Sequence, residues 1–129
     1  MQIEHVAIST KNLEMLKDFY QTYFQASTGK KYSNPSSGFE SYFLSFASGA
    51  RLELMTIPSI PDSLHDPETQ FTDLIHLVIS VGSKAGVDSL AAQMRQAGYP
   101  ILDGPRQTGD GYYESIVLDP DGNRVEITI

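Results

Sequence analysis

The feature of this 129-residue sequence that most constrains its fold is an internal duplication. His5 and His76 lie 71 positions apart, and the same offset relates Gln25-Ala26 to Gln96-Ala97. An offset of 72 relates Leu44 to Ile116. An offset of 73 relates the segment 51–53 (Arg-Leu-Glu) to the segment 124–126 (Arg-Val-Glu). Small loop insertions produce a drift of this size, so the two halves are predicted to be structural repeats.

Each half shows the same succession of strand and helix periodicities. The elements predicted in the first half are a strand over 2–9, a helix over 13–24, a short strand around 31–33, and a hairpin over 41–46 and 51–57. The elements predicted in the second half are a strand over 73–80, a helix around 87–94 ending near Gly98, a strand over 100–106, and a hairpin over 112–118 and 124–129. Each half is therefore predicted to be a β-α-β-β-β module.

The two modules are predicted to occupy residues 1–57 and 72–129 of a single domain, 1–129. The connector between them, 58–71, contains three prolines in its first ten residues and has no hydrophobic period. One helix cannot cover the sheet of its own module, so the modules are expected to pair and share a core. The fold class predicted is α+β, with two paired βαβββ modules.

Charge and composition exclude several function classes. The chain carries 9 Lys plus Arg against 16 Asp plus Glu, and the acidic excess falls in its second half. Without a basic stripe, binding to nucleic acid or to an anionic membrane surface is disfavoured. No run of 18 apolar residues and no secretory signal is present, and there is no cysteine. We therefore expect a cytoplasmic protein with a small-molecule substrate.

Two histidines and two glutamates recur at equivalent positions of the repeat: His5 and His76, Glu53 and Glu126. Strand alternation places each glutamate on the face opposite its aliphatic neighbours. An ionised carboxylate or imidazole in mid-strand is costly to bury without a partner. Imidazole nitrogen and carboxylate oxygen suit Zn, Ni, Co, Fe or Mn, and four protein ligands leave positions for substrate oxygens on a six-coordinate ion. The repeat predicts a divalent metal site with these four residues as ligands.

Other readings of these residues remain open. A single strand histidine is more often a satisfied pocket residue than a ligand, and a strand glutamate is often paired with an arginine. Three weaker candidates for substrate contact are Arg106, Tyr42 and Tyr113. Each also has a structural explanation, as a surface arginine in an acidic half or as a tyrosine that closes a hairpin.

The segments that carry the repeat resemble the vicinal oxygen chelate (VOC) superfamily, which includes glyoxalase I, bleomycin- and fosfomycin-resistance proteins and extradiol dioxygenases. They are IEHVAI, NLEMLKDFY, RLELM, LIHLVIS and the closing GYYESIVLDPDGNRVEI. The resemblance spans the chain and implies βαβββ modules whose mixed sheets curl around a metal cavity. A site can lie within one chain or between two chains in this superfamily, and a homodimer is expected.

Within that superfamily the His-Glu-His-Glu set resembles glyoxalase I, a lactoylglutathione lyase. The resemblance implies His5, Glu53, His76 and Glu126 as ligands of Ni, Co or Zn, with Mn or Fe as alternatives. Glu126, or alternatively Glu53, would be the general base that acts on a hemithioacetal-type substrate through an enediolate. The alternative is a fosfomycin- or bleomycin-resistance type of protein, which adds a thiol or water to an epoxide or binds a drug without catalysis. Glyoxalases commonly have Lys or Arg after the Phe-Tyr-x of the first helix, whereas Thr22 stands here, which argues against glutathione recognition.

Overall fold

The computed structural model describes residues 1–70 and 72–129, which cluster into two units, Met1–Ser63 and Leu64–Ile129. The predicted connector over 58–71 ends at Phe71, which lies outside the described residues. We refer below to the first unit and the second unit.

The first unit contains one helix and a five-stranded mixed sheet. Its elements are β1 (His5–Ser9), α1 (Leu13–Phe24), β2 (Ser27–Thr28), β3 (Tyr32–Asn34), β4 (Phe39–Ser45) and β5 (Arg51–Thr56). β5 pairs in parallel with β1 and antiparallel with β4, and β4 pairs antiparallel with both β2 and β3. α1 begins after Asn12, whose side chain accepts a hydrogen bond from the Met15 backbone N–H at 3.1 Å.

The second unit repeats this plan with a four-stranded sheet in the order β6-β9-β8-β7. Its elements are β6 (Leu77–Ser80), α2 (Lys84–Gln96), β7 (Ile101–Gln107), β8 (Tyr113–Leu118) and β9 (Arg124–Thr128). β9 pairs in parallel with β6 and antiparallel with β8, as β5 does with β1 and β4. Ser83 caps α2 by accepting a hydrogen bond from the Gly86 backbone N–H at 3.1 Å.

Each sheet has one face packed against its own helix. In the first unit the buried strand residues Leu44, Leu52 and Leu54 lie on that face, and α1 buries Leu16 and Tyr20. In the second unit the corresponding residues are Val117, Val125 and Ile127 on the strands, with Val87, Ala91 and Met94 on α2. We call the opposite face of each sheet the His–Glu face, because it carries one of the two histidines and one of the two glutamates.

The α+β fold class and the repeated strand-helix-strand order are confirmed, and α1 has the predicted bounds. Several details differ, among them the start of β1, which is His5 rather than residue 2. β2 was not predicted, because two residues give no readable alternation. His76 lies just before β6 rather than inside the predicted strand over 73–80. The offset between β4 and β8 is 73 rather than 72. Leu44 opposes Leu52 and Val117 opposes Val125, so Val117 and not Ile116 is the counterpart of Leu44.

None of the helices in the described ranges 1–70 and 72–129 is long and apolar enough to cross a bilayer.

Candidate functional site

The first unit brings His5 and Glu53 together on its His–Glu face. β1 and β5 are parallel neighbours, with His5 opposite Arg51 and Ala7 opposite Glu53. The Nε2 atom of His5 lies 3.7 Å from the Oε2 atom of Glu53. The glutamate side chain is 14% exposed and the histidine side chain 38% exposed. The strand register therefore places an imidazole nitrogen and a carboxylate oxygen side by side at a surface that solvent reaches.

The ring of His5 is contacted by Glu4 and by Phe43. Its Nδ1 atom contacts the carboxylate of Glu4, which also pairs with the guanidinium of Arg51. The ring meets Phe43 edge-on at 5.3 Å between centroids. These hydrogen bonds from His5 and Arg51 lower the pKa of the Glu4 carboxyl. A proton on Nδ1 donated to Glu4 leaves the Nε2 lone pair facing Glu53, which is the arrangement a metal-ligating histidine needs.

The second unit repeats the pair with His76 and Glu126. The Nε2 atom of His76 lies 3.7 Å from the Oε2 atom of Glu126, with side-chain exposures of 35% and 15%. These values nearly match those of the first pair. Two sequence-distant units therefore arrive at the same His–Glu geometry, although Ile75 stands where the first unit has Glu4.

Each pair has the donor atoms and the spacing for shared binding of a cation. Two ligand atoms bound to one ion at ~2.1 Å lie ~3.0–3.4 Å apart in octahedral or tetrahedral shells. The observed 3.7 Å separations need only a small side-chain rotation to reach that range. Within 1–70 and 72–129 the structure gathers no group of three or more His, Asp or Glu side chains in a metal-binding arrangement. Each His–Glu pair therefore offers one imidazole nitrogen and one carboxylate oxygen, and both are ligand types that borderline divalent ions accept.

Glu114 is a site residue that the sequence analysis missed. It lies on β8 opposite Thr128, diagonally across from Glu126 on the same face of the sheet. Burial, followed by the charge and hydrogen bond of Glu126, raises the pKa of Glu114. The side chain of Glu114 is only 12% exposed. No repeat signal marked it, because the position equivalent in register on β4 is Ser41.

Arg106, predicted from the sequence as a possible substrate contact, lies beside this glutamate. Its Nη2 atom is 3.6 Å from Oε1 of Glu114, and its Nε atom donates to Asp103 at 2.7 Å. Asp103 opposes Ile116 and Arg106 opposes Glu114. The chain therefore advances three residues along β7 over the distance in which it advances two along β8, which is a β-bulge. This bulge puts two residues that regular alternation would separate onto one face, where they form an ion pair.

Gly104 lies within the bulge and permits it. Its φ is +77°, and a Cβ atom there would come within 2.5 Å of the Glu114 carbonyl oxygen. Only glycine accommodates both the left-handed backbone and the close approach of β8. Gly104 can be read from the sequence, but its role depends on the register between β7 and β8, which the sequence alone does not show.

Tyr42 and Tyr113 lie on the helix-covered faces. The hydroxyl of Tyr42 donates to Glu14 on α1 at 3.1 Å, and the hydroxyl of Tyr113 donates to Asp88 on α2 at 2.6 Å. The structure therefore brings these tyrosines to the helices and does not bring them to the His–Glu pairs of their units.

A sequence model of the Glyoxalase/Bleomycin resistance protein/Dioxygenase superfamily matches residues 2–127. The chain belongs to this superfamily. The match takes in both halves of the duplication and all four residues of the His–Glu pairs. Among curated proteins, none matches the sequence significantly.

Solved structures of glyoxalase superfamily proteins share the fold over nearly the whole chain. The trypanothione-dependent glyoxalase I of Leishmania major is 25% identical, with a TM-score of 0.77 over 99% of this chain and 86% of its own. A glyoxylase/bleomycin resistance protein/dioxygenase domain from Frankia sp. EAN1pec gives a TM-score of 0.82 at 18% identity, over 100% and 97% of the two chains. The lactoylglutathione lyase of Agrobacterium tumefaciens gives a TM-score of 0.67 at 21% identity, over 98% of this chain and 91% of its own.

Proposed function

We propose that this glyoxalase superfamily protein is a metal-dependent lyase or isomerase of the glyoxalase I type. Its substrate would be a small hemithioacetal-type compound that reacts through an enediolate. The observation that carries the proposal is the repeated His–Glu pair, at 3.7 Å in both units. Two copies of one ligand-capable pair support a functional requirement, because packing alone gives no reason to keep both.

His5, Glu53, His76 and Glu126 are the proposed metal ligands, with nickel, cobalt or zinc as the preferred ion. When bound, the ion would polarise the substrate carbonyl and make the neighbouring C–H bond more acidic. The side chains of His5 and His76 are 38% and 35% exposed, which supports access of an ion and a substrate to both histidines.

The protein's own task in the reaction is to move one proton between adjacent carbons. Glu126 is the proposed base, and Glu53 is the alternative. Both carboxylates are about one-seventh exposed, so the substrate can reach them while most of the surrounding water is excluded. Arg106 borders Glu126 through Glu114 and is the proposed contact for a polar group of the substrate.

Metal analysis and activity of the same preparation test the proposal. Protein purified without chelator is expected to contain a divalent ion, and His76→Ala is expected to lose it. Metal-loaded protein is then assayed with methylglyoxal and a panel of thiols that differ in charge. Isomerisation with at least one thiol supports the proposal. Metal-loaded protein that instead adds a thiol to an epoxide would contradict it, as would protein that binds drugs without turnover.

Two isosteric variants test the base. Glu126→Gln keeps the shape of the side chain and one weak oxygen ligand but cannot accept the proton. We expect metal-loaded Glu126→Gln to lose ~10²–10⁴ in rate, the usual contribution of a positioned general base. Normal turnover by this variant would transfer the role to Glu53. Normal turnover by Glu53→Gln as well would contradict the mechanism.

We also propose that the protein is a homodimer, as the resemblance to the superfamily implies. Sedimentation of the purified protein at micromolar concentration is expected to give twice the chain mass of 14.2 kDa. A clean monomer would contradict this.

A further inference from the structure

The two His–Glu faces differ in what surrounds the histidine. In the first unit the Glu4 carboxylate contacts Nδ1 of His5 through one oxygen and the guanidinium of Arg51 through the other. The backbone joins the same residues, because the Arg51 N–H donates to the Glu4 carbonyl at 3.0 Å. In the second unit Ile75 precedes His76, and an isoleucine side chain cannot accept a hydrogen bond from a ring nitrogen. The carboxylate support is therefore particular to His5.

Phe43 supports the same ring from β4. It opposes Glu53 in the strand register, and its ring meets the His5 ring edge-on with 5.3 Å between centroids. The guanidinium carbon of Arg51 lies 4.2 Å from the centroid of the Phe43 ring. Arg51 thus reaches both supports of His5. It forms an ion pair with Glu4 and a cation–π contact with Phe43.

The equivalent arginine of the second unit has a different partner. Arg124 is only 9% exposed, and its Nε atom donates to the backbone carbonyl of Pro67 at 2.9 Å. The residue that opposes Glu126 on β8 is Ile116, which has no aromatic face for a guanidinium. The repeat therefore has an arginine at both positions, and Arg51 is the one that contacts the supports of a histidine.

We propose that Arg51 is a positioning residue that fixes the imidazole ring of His5. It acts through Glu4 and Phe43, and it keeps Nε2 of His5 directed at Glu53. The inference deepens the proposed function and rests on it, because His5 and Glu53 are assigned there as metal ligands. The contact with Glu4 needs no unusual protonation state, since an imidazole that binds a metal through Nε2 carries a proton on Nδ1. Groups that orient a metal-ligating histidine typically contribute ~10–100-fold to metal affinity.

Charge and positioning predict opposite effects when Arg51 is replaced. A guanidinium beside a bound divalent cation repels it, so removal of the charge would by itself raise metal affinity. Loss of positioning lowers metal affinity instead. Arg51→Lys keeps the charge but loses the planar group that stacks on a ring, so it tests positioning without a change of charge. Arg51→Met removes the charge as well and keeps much of the length of the side chain.

The first readout is affinity for Co²⁺, measured by competition with a chromophoric chelator. The variants are Arg51→Lys, Arg51→Met, Glu4→Ala and Glu4→Gln, together with Glu4→Ala/Phe43→Leu in the presence and absence of Arg51→Lys. Arg95→Lys and Arg95→Met are the matched controls, because Arg95 is an exposed arginine in the last turn of α2. Urea unfolding of every variant confirms that it is folded.

The second readout needs no metal. Carbon-13 relaxation of the imidazole C–H bonds in the metal-free protein measures how rigidly each histidine ring is held. We expect the order parameter of the His5 ring to fall below about 0.6, the range of flexible groups, in Arg51→Lys and in Glu4→Ala. The ring of His76 is the internal control, and its order parameter should not change.

We expect Arg51→Lys to lower Co²⁺ affinity by ~10-fold, the lower end of the usual range, because Glu4 keeps its direct contact with His5. Arg51→Met should lower the affinity too, although it removes a repulsive charge. Glu4→Ala should lower it by at least ~10-fold, and Glu4→Gln should recover much of that loss because its amide oxygen still accepts a hydrogen bond. In the Glu4→Ala/Phe43→Leu background, Arg51→Lys should change the affinity by about twofold or less, because residues that act as a unit are not additive. The Arg95 variants should change neither readout.

Three results separate the possible failures. Unchanged or raised Co²⁺ affinity in Arg51→Lys, an unchanged His5 order parameter, or an equal loss with and without Glu4 and Phe43 would overturn the positioning role alone. The expected losses of Co²⁺ affinity without turnover by the wild-type protein would support the positioning role and overturn the proposed function. A wild-type protein that binds no divalent ion would overturn both.

Discussion

Replacing Gly104 with alanine probes the bulge that aligns β7 with β8. Two structural terms set the expected cost. A non-glycine residue held at positive φ costs ~1–2 kcal/mol, and Gly104 has φ +77°. The new Cβ atom would also lie 2.5 Å from the Glu114 carbonyl oxygen and 3.0 Å from the Ser115 Cα. Both are backbone atoms, so the strand must shift, at the ~1–3 kcal/mol typical of overpacking.

Alanine also lowers the conformational entropy of the unfolded chain, which offsets the loss of stability by ~0.4–1 kcal/mol. The net expectation is a loss of about 1–5 kcal/mol in the free energy of unfolding. Urea denaturation followed by circular dichroism measures it, with the m value checked for constancy so that a shifted midpoint reports stability.

Two glycines of the neighbouring turn are matched controls. Gly111 has φ +99° but open space around its Cβ position, so Gly111→Ala carries the backbone strain without the clash. Gly109 has neither, so Gly109→Ala should be neutral or slightly stabilising. The expected order of destabilisation is Gly104→Ala, then Gly111→Ala, then Gly109→Ala. A cost for Gly104→Ala no larger than that for Gly111→Ala would refute the argument that β8 approaches too closely for a side chain.

Three further predictions concern the helix-covered faces. Hydrogen bonds from lysines and a tyrosine lower the pKa of Glu14 from 4.5 to about 2, so its stabilisation is complete above pH 4.5 and lost as pH falls towards 2. Because this side chain is half exposed, Glu14→Gln should lower the free energy of unfolding by only ~0.5–1 kcal/mol at pH 7, measured by urea denaturation. Near pH 2 the substitution should have no effect. A loss of the same size at both pH values would contradict this. Leu54→Ala should cost ~2–5 kcal/mol by the same assay, whereas Val78→Ala, at a 52% exposed position, should stay within ~0.5 kcal/mol. Tyr113→Phe should cost ~0.5–1.5 kcal/mol, and this cost should largely disappear in an Asp88→Ala background if the 2.6 Å hydrogen bond causes it.

Features with a local or repeated signal in the sequence could be predicted. α1 was predicted with its observed bounds, because its apolar residues follow a helical period. Strand alternation and the duplication singled out His5, Glu53, His76 and Glu126 as equivalent residues, whereas the pairing of β1 with β5 and of β6 with β9 was not predicted. Burial of Leu52 and Leu54 confirms the predicted orientation of β5.

Features that depend on long-range register could not be predicted. Glu114 has Ser41 as its counterpart, so the duplication gave no reason to select it. Its contact with Arg106 depends on the bulge in β7, and sequence alternation alone would place Asp103 and Arg106 on opposite faces. Glu4 precedes His5 by one residue, so alternation assigns it to the wrong side. It reaches His5 because it lies just before the first residue of β1.

The two faces of β5 are subject to different evolutionary constraints. Leu52 and Leu54 are packed under α1, so a change of volume there lowers stability. Arg51 and Met55 flank Glu53 on the other face and are partly exposed. Substitutions at these two positions can accumulate at little cost in folding while Glu53 between them is kept. β9 lacks this freedom, because Arg124 and Thr128, which flank Glu126, are buried. Substrate range in descendants of this chain should therefore diversify first through the amino-terminal repeat.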